Sequence, residues 1–146
     1  MAVQSLHDSA YKEWANYTCN NLDVRGVSYN KIITATQDTS ATTDVEFATS
    51  QNCNSGLLTT VSQTLAAYQS LTFQVHFDSY KVGDIVLASI QNYSGTYVTH
   101  GLPVINVEIP SVNGVFEIKV MNCHNANALA GTLKIGFKVI KKTENV

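Results

Sequence analysis

Apolar and polar residues alternate near the end of the chain, in residues 131–141. Successive side chains of a β-strand point to opposite faces of the sheet, so this alternation separates an apolar face from a cationic one. The apolar residues are Leu133, Ile135, Phe137 and Val139, and the cations between them are Lys134 and Lys138. We predict a half-buried strand here that closes a sheet, with lysines that protect a sheet edge or contact another subunit.

The same period-two pattern recurs from residue 31 onward, with turn residues between the repeats. Residues 71–77 and 115–121 alternate most regularly, and the hairpin signal Asn113-Gly114 comes just before the second of these stretches. Residues 64–70 are interpreted as a helical turn or a connection. The pattern predicts strands at 31–36, 43–49, 57–61, 71–77, 84–91, 103–109, 115–121 and 131–141.

One of these stretches has a different character. Residues 84–91, DIVLASIQ, are more uniformly apolar than the others. A strand that is apolar on both sides is typical of the middle of a sheet whose two faces are covered. We therefore predict a central position for this strand.

The strand spacing predicts an all-β fold with a single domain over residues 31–146. Short strands at regular intervals, without helical patterns between them, are typical of an antiparallel β-sandwich. An eight-stranded jelly roll is the first choice and an immunoglobulin-like sandwich is the second. The Cys–Trp–Cys arrangement of many immunoglobulin domains is missing, because Trp14 precedes all three cysteines.

Residues 1–30 differ from the rest and are predicted to form an N-terminal arm or a short helix. Trp14 and Tyr17 belong to a loose aromatic stripe at helical spacing in this segment. Large aromatic side chains are stable when they are buried, so the stripe should pack against its own domain or against a neighbouring subunit. Both residues are candidate interaction residues.

Composition narrows the possible partners. Charged residues make up 14% of the chain and the net charge is −2, whereas soluble domains average about 25% charged residues. A surface with so little charge favours association, and the absence of a basic surplus argues against nucleic-acid binding. No apolar run has the roughly 18 residues needed to cross a bilayer, and residues 1–14 lack the features of a secretory signal. We expect neither nucleic acid nor membrane as a partner.

The residues that carry chemistry form no recognisable catalytic or metal-binding motif. The adjacent ligands Cys123 and His124 would point to opposite sides of an extended segment, so they are poorly placed to share one metal. The nucleophile motif GxSxG is absent, and Asp44 and Glu46 have the spacing of an ordinary solvent-facing strand. We therefore expect no catalytic residue, no metal, no cofactor and no enzymatic activity.

A loop over residues 92–100 is the best candidate for recognition. Tyr93, Tyr97 and His100 lie among small polar residues there, a composition that suits contact with sugars or proteins because tyrosine loses little conformational entropy on binding. The alternative is a β-hairpin whose tyrosines simply lie at the surface.

Three segments together carry a family resemblance: residues 83–88 (GDIVLA), residues 114–120 (GVFEIKV) with the Asn- and Ala-rich link that follows, and residues 131–137 (GTLKIGF). Their order resembles short jelly-roll virion surface proteins of marine and algal viruses and phages, of the capsid-decoration or fibre-head type. The resemblance spans about residues 31–141 and does not extend to residues 1–30.

The resemblance implies a non-enzymatic, trimeric protein located on a virus particle. Such a protein would contact further copies of itself and other capsid or tail proteins, and it would either cement capsomers or present a receptor-binding face to a host-surface glycan. The alternative is a soluble carbohydrate-binding or adhesion module of the lectin type, which would use the loop around Tyr93, Tyr97 and His100.

Overall fold

The computed structural model of the chain describes residues 31–47 and 53–142. Strands β1 to β5 are Ile32–Thr36, Asp44–Glu46, Ser55–Thr59, Gln63–Leu65 and Ser70–His76. Strand β6, Ile85–Tyr93, is followed by the helix α1, Tyr97–His100. Strands β7 to β10 are Val104–Glu108, Val115–Met121, Leu129–Gly131 and Leu133–Ile140. The predicted arm of residues 1–30, with Trp14 and Tyr17, lies outside the described residues.

The described strands form a β-sandwich, which confirms the predicted architecture. One four-stranded sheet, called sheet A, has the order β1-β3-β10-β6, and the other, called sheet B, has the order β2-β5-β8-β7. The short pair β4 and β9 links the two sheets at one end. Pairing is nested along the chain, since β3 pairs with β10, β4 with β9 and β5 with β8.

The core lies between the sheets and follows from the alternation in the sequence. The inward residues of β10 are all buried, as predicted, and the inward residues of β5 and β8 pack opposite them. The ring of Phe137 lies at the centre, with its centroid 5.0 to 5.1 Å from those of Phe47, Phe77 and Phe116. Gly56 makes room for this ring, because a Cβ at that position would lie 2.3 Å from the Phe137 side chain.

The prediction of wholly antiparallel sheets was wrong at two edges. Strand β1 pairs parallel with β3, and β2 pairs parallel with β5, so both sheets are mixed. Parallel neighbours need a long crossover connection. The chain supplies one in each case, because β2 of sheet B lies between β1 and β3 in sequence, and β3 and β4 lie between β2 and β5.

The positions of three elements also differ from the predictions. Strand β6 lies at an edge of sheet A, although its apolar sequence predicted a central position. Strand β10 is central, so Lys134 and Lys138 lie on the outer face of the sheet and not along an edge. Residues 63–65 form β4, which pairs with β9, so the predicted helical turn is absent, and residues 66–69 form the predicted connection, from β4 to β5.

A buried ion pair joins the start of β6 to the end of β10. The Asp84 carboxylate lies 2.5 Å from the Lys141 ammonium and accepts the backbone N–H groups of Lys81 and Lys142, each at 2.8 Å. Burial alone would raise the pKa of Asp84, but these hydrogen bonds and the Lys141 charge outweigh burial and hold it below its ordinary value. Burial, and then the Asp84 charge, raise the pKa of the neighbouring Tyr80 hydroxyl.

Candidate interaction surface

The outer face of sheet A exposes several large apolar side chains. Strand register places Ile85 beside Ile140, and Leu87 in one row with Lys138, Ser55 and Ile32. Ile32 is 65% exposed, Ile85 and Leu87 are each 57% exposed, and Ile140 is 41% exposed. Single exposed apolar residues are ordinary, but a group of them on one sheet face is typical of a contact surface.

A shallow groove runs across the middle of this face. It has a volume of about 540 Å³, and its lining includes Ile32, Leu57, Leu87 and Lys138. Gly136 of β10 and Gln91 of β6 also line the groove. A Cβ at Gly136 would lie 2.9 Å from Cγ of Gln91, which leans over the same strand. Glycine at this position therefore makes room for the Gln91 side chain, which packs over the β10 backbone inside the groove.

The two outer faces of the sandwich carry opposite charge. Among the described residues, the outer positions of sheet A include Lys134 and Lys138 and no carboxylate. Among the charged residues at the outer positions of sheet B, carboxylates predominate: Asp44, Glu46, Glu108 and Glu117 lie there with Lys119 and His76. Sheet A therefore favours a partner that presents carboxylates, and sheet B does not.

Some of the carboxylates on sheet B lie near basic side chains of the same face. His76 Nδ1 lies 3.5 Å from Glu46 Oε1, and its Nε2 lies 3.9 Å from Asp44 Oδ1. Lys119 Nζ lies 3.3 Å from Glu108 Oε1. Such exposed pairs contribute little to stability.

In the described part of the chain, no group of three or more His, Cys, Asp or Glu side chains is placed to hold a metal ion.

The structure separates the three residues predicted for recognition. Tyr97 begins α1 and its ring is buried in the core, where desolvation raises the pKa of its hydroxyl. Tyr93, at the end of β6, and His100, at the end of α1, remain exposed, and the His100 ring centroid lies 6.4 Å from that of His124. Of the three predicted recognition residues, Tyr93 and His100 therefore lie at the surface and Tyr97 does not.

The outer face of sheet A was not predicted as a contact surface, although the sequence contains a signal for it. The uniformly apolar run that contains Ile85 and Leu87 was interpreted as a strand covered by its own domain. Apolar outward positions indicate only that a covering partner is favourable, and they do not say whether this partner belongs to the same chain.

No helix among the described residues has the length and apolar character needed to span a membrane.

Comparisons with protein-family models, with curated proteins and with solved structures find no match to this chain. The resemblance to virion proteins therefore stays a prediction.

Proposed function

We propose that this protein is a non-enzymatic structural component of a virus particle, of the capsid-decoration, minor-capsid or fibre type, and that it works through protein–protein contacts. The observation that carries the proposal is the exposed apolar outer face of sheet A. Its occupant is a protein subunit of the particle whose contact surface combines apolar side chains with carboxylates.

The chemistry of the face supports this occupant. Exposed Ile32, Leu87 and Ile140 provide apolar area. Each 100 Å² of apolar area that becomes buried contributes about 2.5 kcal/mol of hydrophobic free energy, from which the cost of association is subtracted. Lys134 and Lys138 stand on the same strand four residues apart, which corresponds to a separation of about 13 Å. A partner with carboxylates at that separation would pair with both lysines and would associate faster at low salt.

The nested strand pairing supports the finer interpretation of the fold. A jelly roll is a long two-stranded ribbon folded over on itself, and the pairs β3–β10, β4–β9 and β5–β8 have the order of such a ribbon. In this interpretation β1 and β2 are strands added in parallel at the two edges. The family resemblance supports a location in the virion, trimer formation and contact with other capsid or tail proteins.

A carbohydrate-binding or adhesion module is the second candidate, and the exposed Tyr93 and His100 favour it. Because Tyr97 is buried, its replacement would disturb the fold, so Tyr93→Ala is the appropriate variant. Saturable binding on a glycan array that Tyr93→Ala abolishes, from a protein that does not bind particles, would favour this candidate.

The proposal is tested by reconstituting particles with the wild-type chain or with Lys138→Glu. The substitution places a negative charge in the groove, opposite the carboxylates of the partner, so we expect the affinity for the particle to fall about tenfold or more. Lys119→Glu is the matched control, since it reverses a lysine on the opposite outer face. Cosedimentation with the particles, followed by quantitative mass spectrometry, measures the occupancy.

Equal losses for Lys138→Glu and Lys119→Glu would show that net charge, and not the outer face of sheet A, controls attachment. If the wild-type chain did not bind the particles, the proposed function itself would be refuted.

A further inference from the structure

One side of the β6 backbone forms no ladder with another described strand, although β7 of sheet B lies close to β6. Val139 donates its N–H to the carbonyl oxygen of Asn54, on the β3 side of β10. The backbone N–H and C=O groups of successive residues in a strand point to opposite sides. Those of Lys138 and Gly136 in β10 therefore point toward β6 and form hydrogen bonds with Leu87 and Ser89. The N–H and C=O groups of Val86, Ala88 and Ile90 therefore point away from β10, toward an edge where no described strand follows.

This edge lacks the features that usually prevent strand addition. Strand β6 is nine residues long and contains no charged residue, proline or glycine. The edge strands of sheet B carry carboxylates, Asp44 and Glu46 on β2 and Glu108 on β7. Natural proteins protect edge strands with charge, proline, bulges or short length. The irregularity between Lys134 and Ile135 of β10 affects only the end of β6 beyond Ile90.

We propose that β6 pairs antiparallel with β6 of a second copy of this chain, about a two-fold axis at Ala88. This register pairs Val86 with Ile90 of the partner subunit and Ala88 with Ala88 of the partner subunit, so every outward backbone group from Val86 to Ile90 is used. It also places Leu87 opposite Ser89 of the partner subunit on the outer face.

The absence of charge favours a second copy of β6 as the occupant. A strand with charged residues would bring like charges close together across a two-fold axis, whereas β6 meets itself without such repulsion. Ile85 and Leu87 are exposed apolar residues on this same strand, and the pairing would partly shield Leu87. A two-fold contact cannot by itself build a trimer, so it joins either two chains or two trimers.

This contact uses the backbone edge of sheet A, whereas the proposed particle contact uses its outer face, and Leu87 borders both. It would merge the sheets A of two copies into one continuous sheet. The cationic apolar face of one copy would then continue directly into that of the other.

Amide hydrogen exchange of the full chain, measured by NMR over a range of protein concentrations, tests the pairing. At low concentration the amides of Val86, Ala88 and Ile90 should exchange fast, whereas those of Leu87 and Ser89 should stay protected by β10. As the concentration rises through the dimerisation range found by sedimentation velocity, exchange at the first three amides should slow by about tenfold or more.

Ala88→Pro removes an N–H that points away from β10, so no hydrogen bond to β10 is lost. We expect the variant protein to fold but not to dimerise. The matched control is Thr34→Pro at the other edge of sheet A. Gln37 donates its N–H to Thr59 on β3, so the N–H of Thr34, three residues earlier, points away from β3. This control should dimerise as the wild type does.

Dimerisation that leaves exchange at the three amides unchanged would overturn the inference, and so would protection that is already complete in the monomer. The second result would identify a segment of the same chain as the occupant. A strictly monomeric protein would overturn it as well. Because particle binding is measured separately, a monomer that binds particles leaves the proposed function intact, and a dimer that does not bind them refutes only the proposed function.

Discussion

Replacement of Phe137 by alanine is expected to lower the free energy of unfolding by about 4 kcal/mol, the usual cost of removing a buried phenylalanine ring. The Phe137 ring makes edge-to-face contacts with the rings of Phe47, Phe77 and Phe116. It also fills the space above Gly56. The cavity would therefore open where both sheets meet, and a loss of this size is a large part of the roughly 5–15 kcal/mol that stabilises a domain.

Urea unfolding followed by circular dichroism measures this effect, at a concentration where the chain is monomeric, because association would add stability. Lys138→Ala is the matched control. It is the next residue of the same strand but lies on the outer face, so its effect should stay within about 0.5 kcal/mol. If Phe137→Ala cost less than about 1 kcal/mol, the ring could not lie at the centre of the core.

The second large effect is expected for Asp84→Asn, with a loss of about 3 kcal/mol at pH 7. The carboxylate is buried and accepts hydrogen bonds from Lys141, Lys81 and Lys142. Asparagine has nearly the same size, but its amide group is itself a donor and faces these donors. It also leaves the Lys141 ammonium, which is 23% exposed, without its counter-charge.

The effect of Asp84→Asn should depend on pH. The pKa of Asp84 is lowered in the folded protein, whereas in the unfolded chain it is about 3.9. The carboxylate therefore contributes its full stability above about pH 5, and this contribution is lost as the pH falls below 4 toward the folded pKa. Urea unfolding at a series of pH values from 7 to 3 should show the difference between wild type and variant becoming smaller. A constant difference would contradict the proposed ion pair.

Local alternation was sufficient to predict the sandwich and most of its strands. In β5, β8 and β10 the apolar residues at every second position are the buried or partly buried ones. This works because one face of each strand packs on the core, so the period of the sequence and the period of burial coincide. The parallel pairs β1–β3 and β2–β5 could not be predicted this way, since pairing between distant segments leaves no local pattern.

The candidate surface was harder to predict because exposure depends on the neighbours of a strand. The run that contains Ile85 and Leu87 has the composition of a covered strand, yet it forms an edge with those side chains exposed. Conversely, Tyr97 was placed in a surface loop, but the first turn of α1 directs its ring into the core. In both cases composition indicates only which side chains favour burial, and tertiary packing decides whether the chain itself buries them.

Electron cryo-microscopy of intact particles that carry this protein tests its proposed role most directly. We predict that the outer face of sheet A, with Ile32, Leu87 and Lys138, lies against a neighbouring protein subunit that places a carboxylate near the Lys138 ammonium. A map in which this face is open to solvent, while the chain is attached through the acidic face of sheet B or through the loop around Tyr93 and His100, would contradict the proposal.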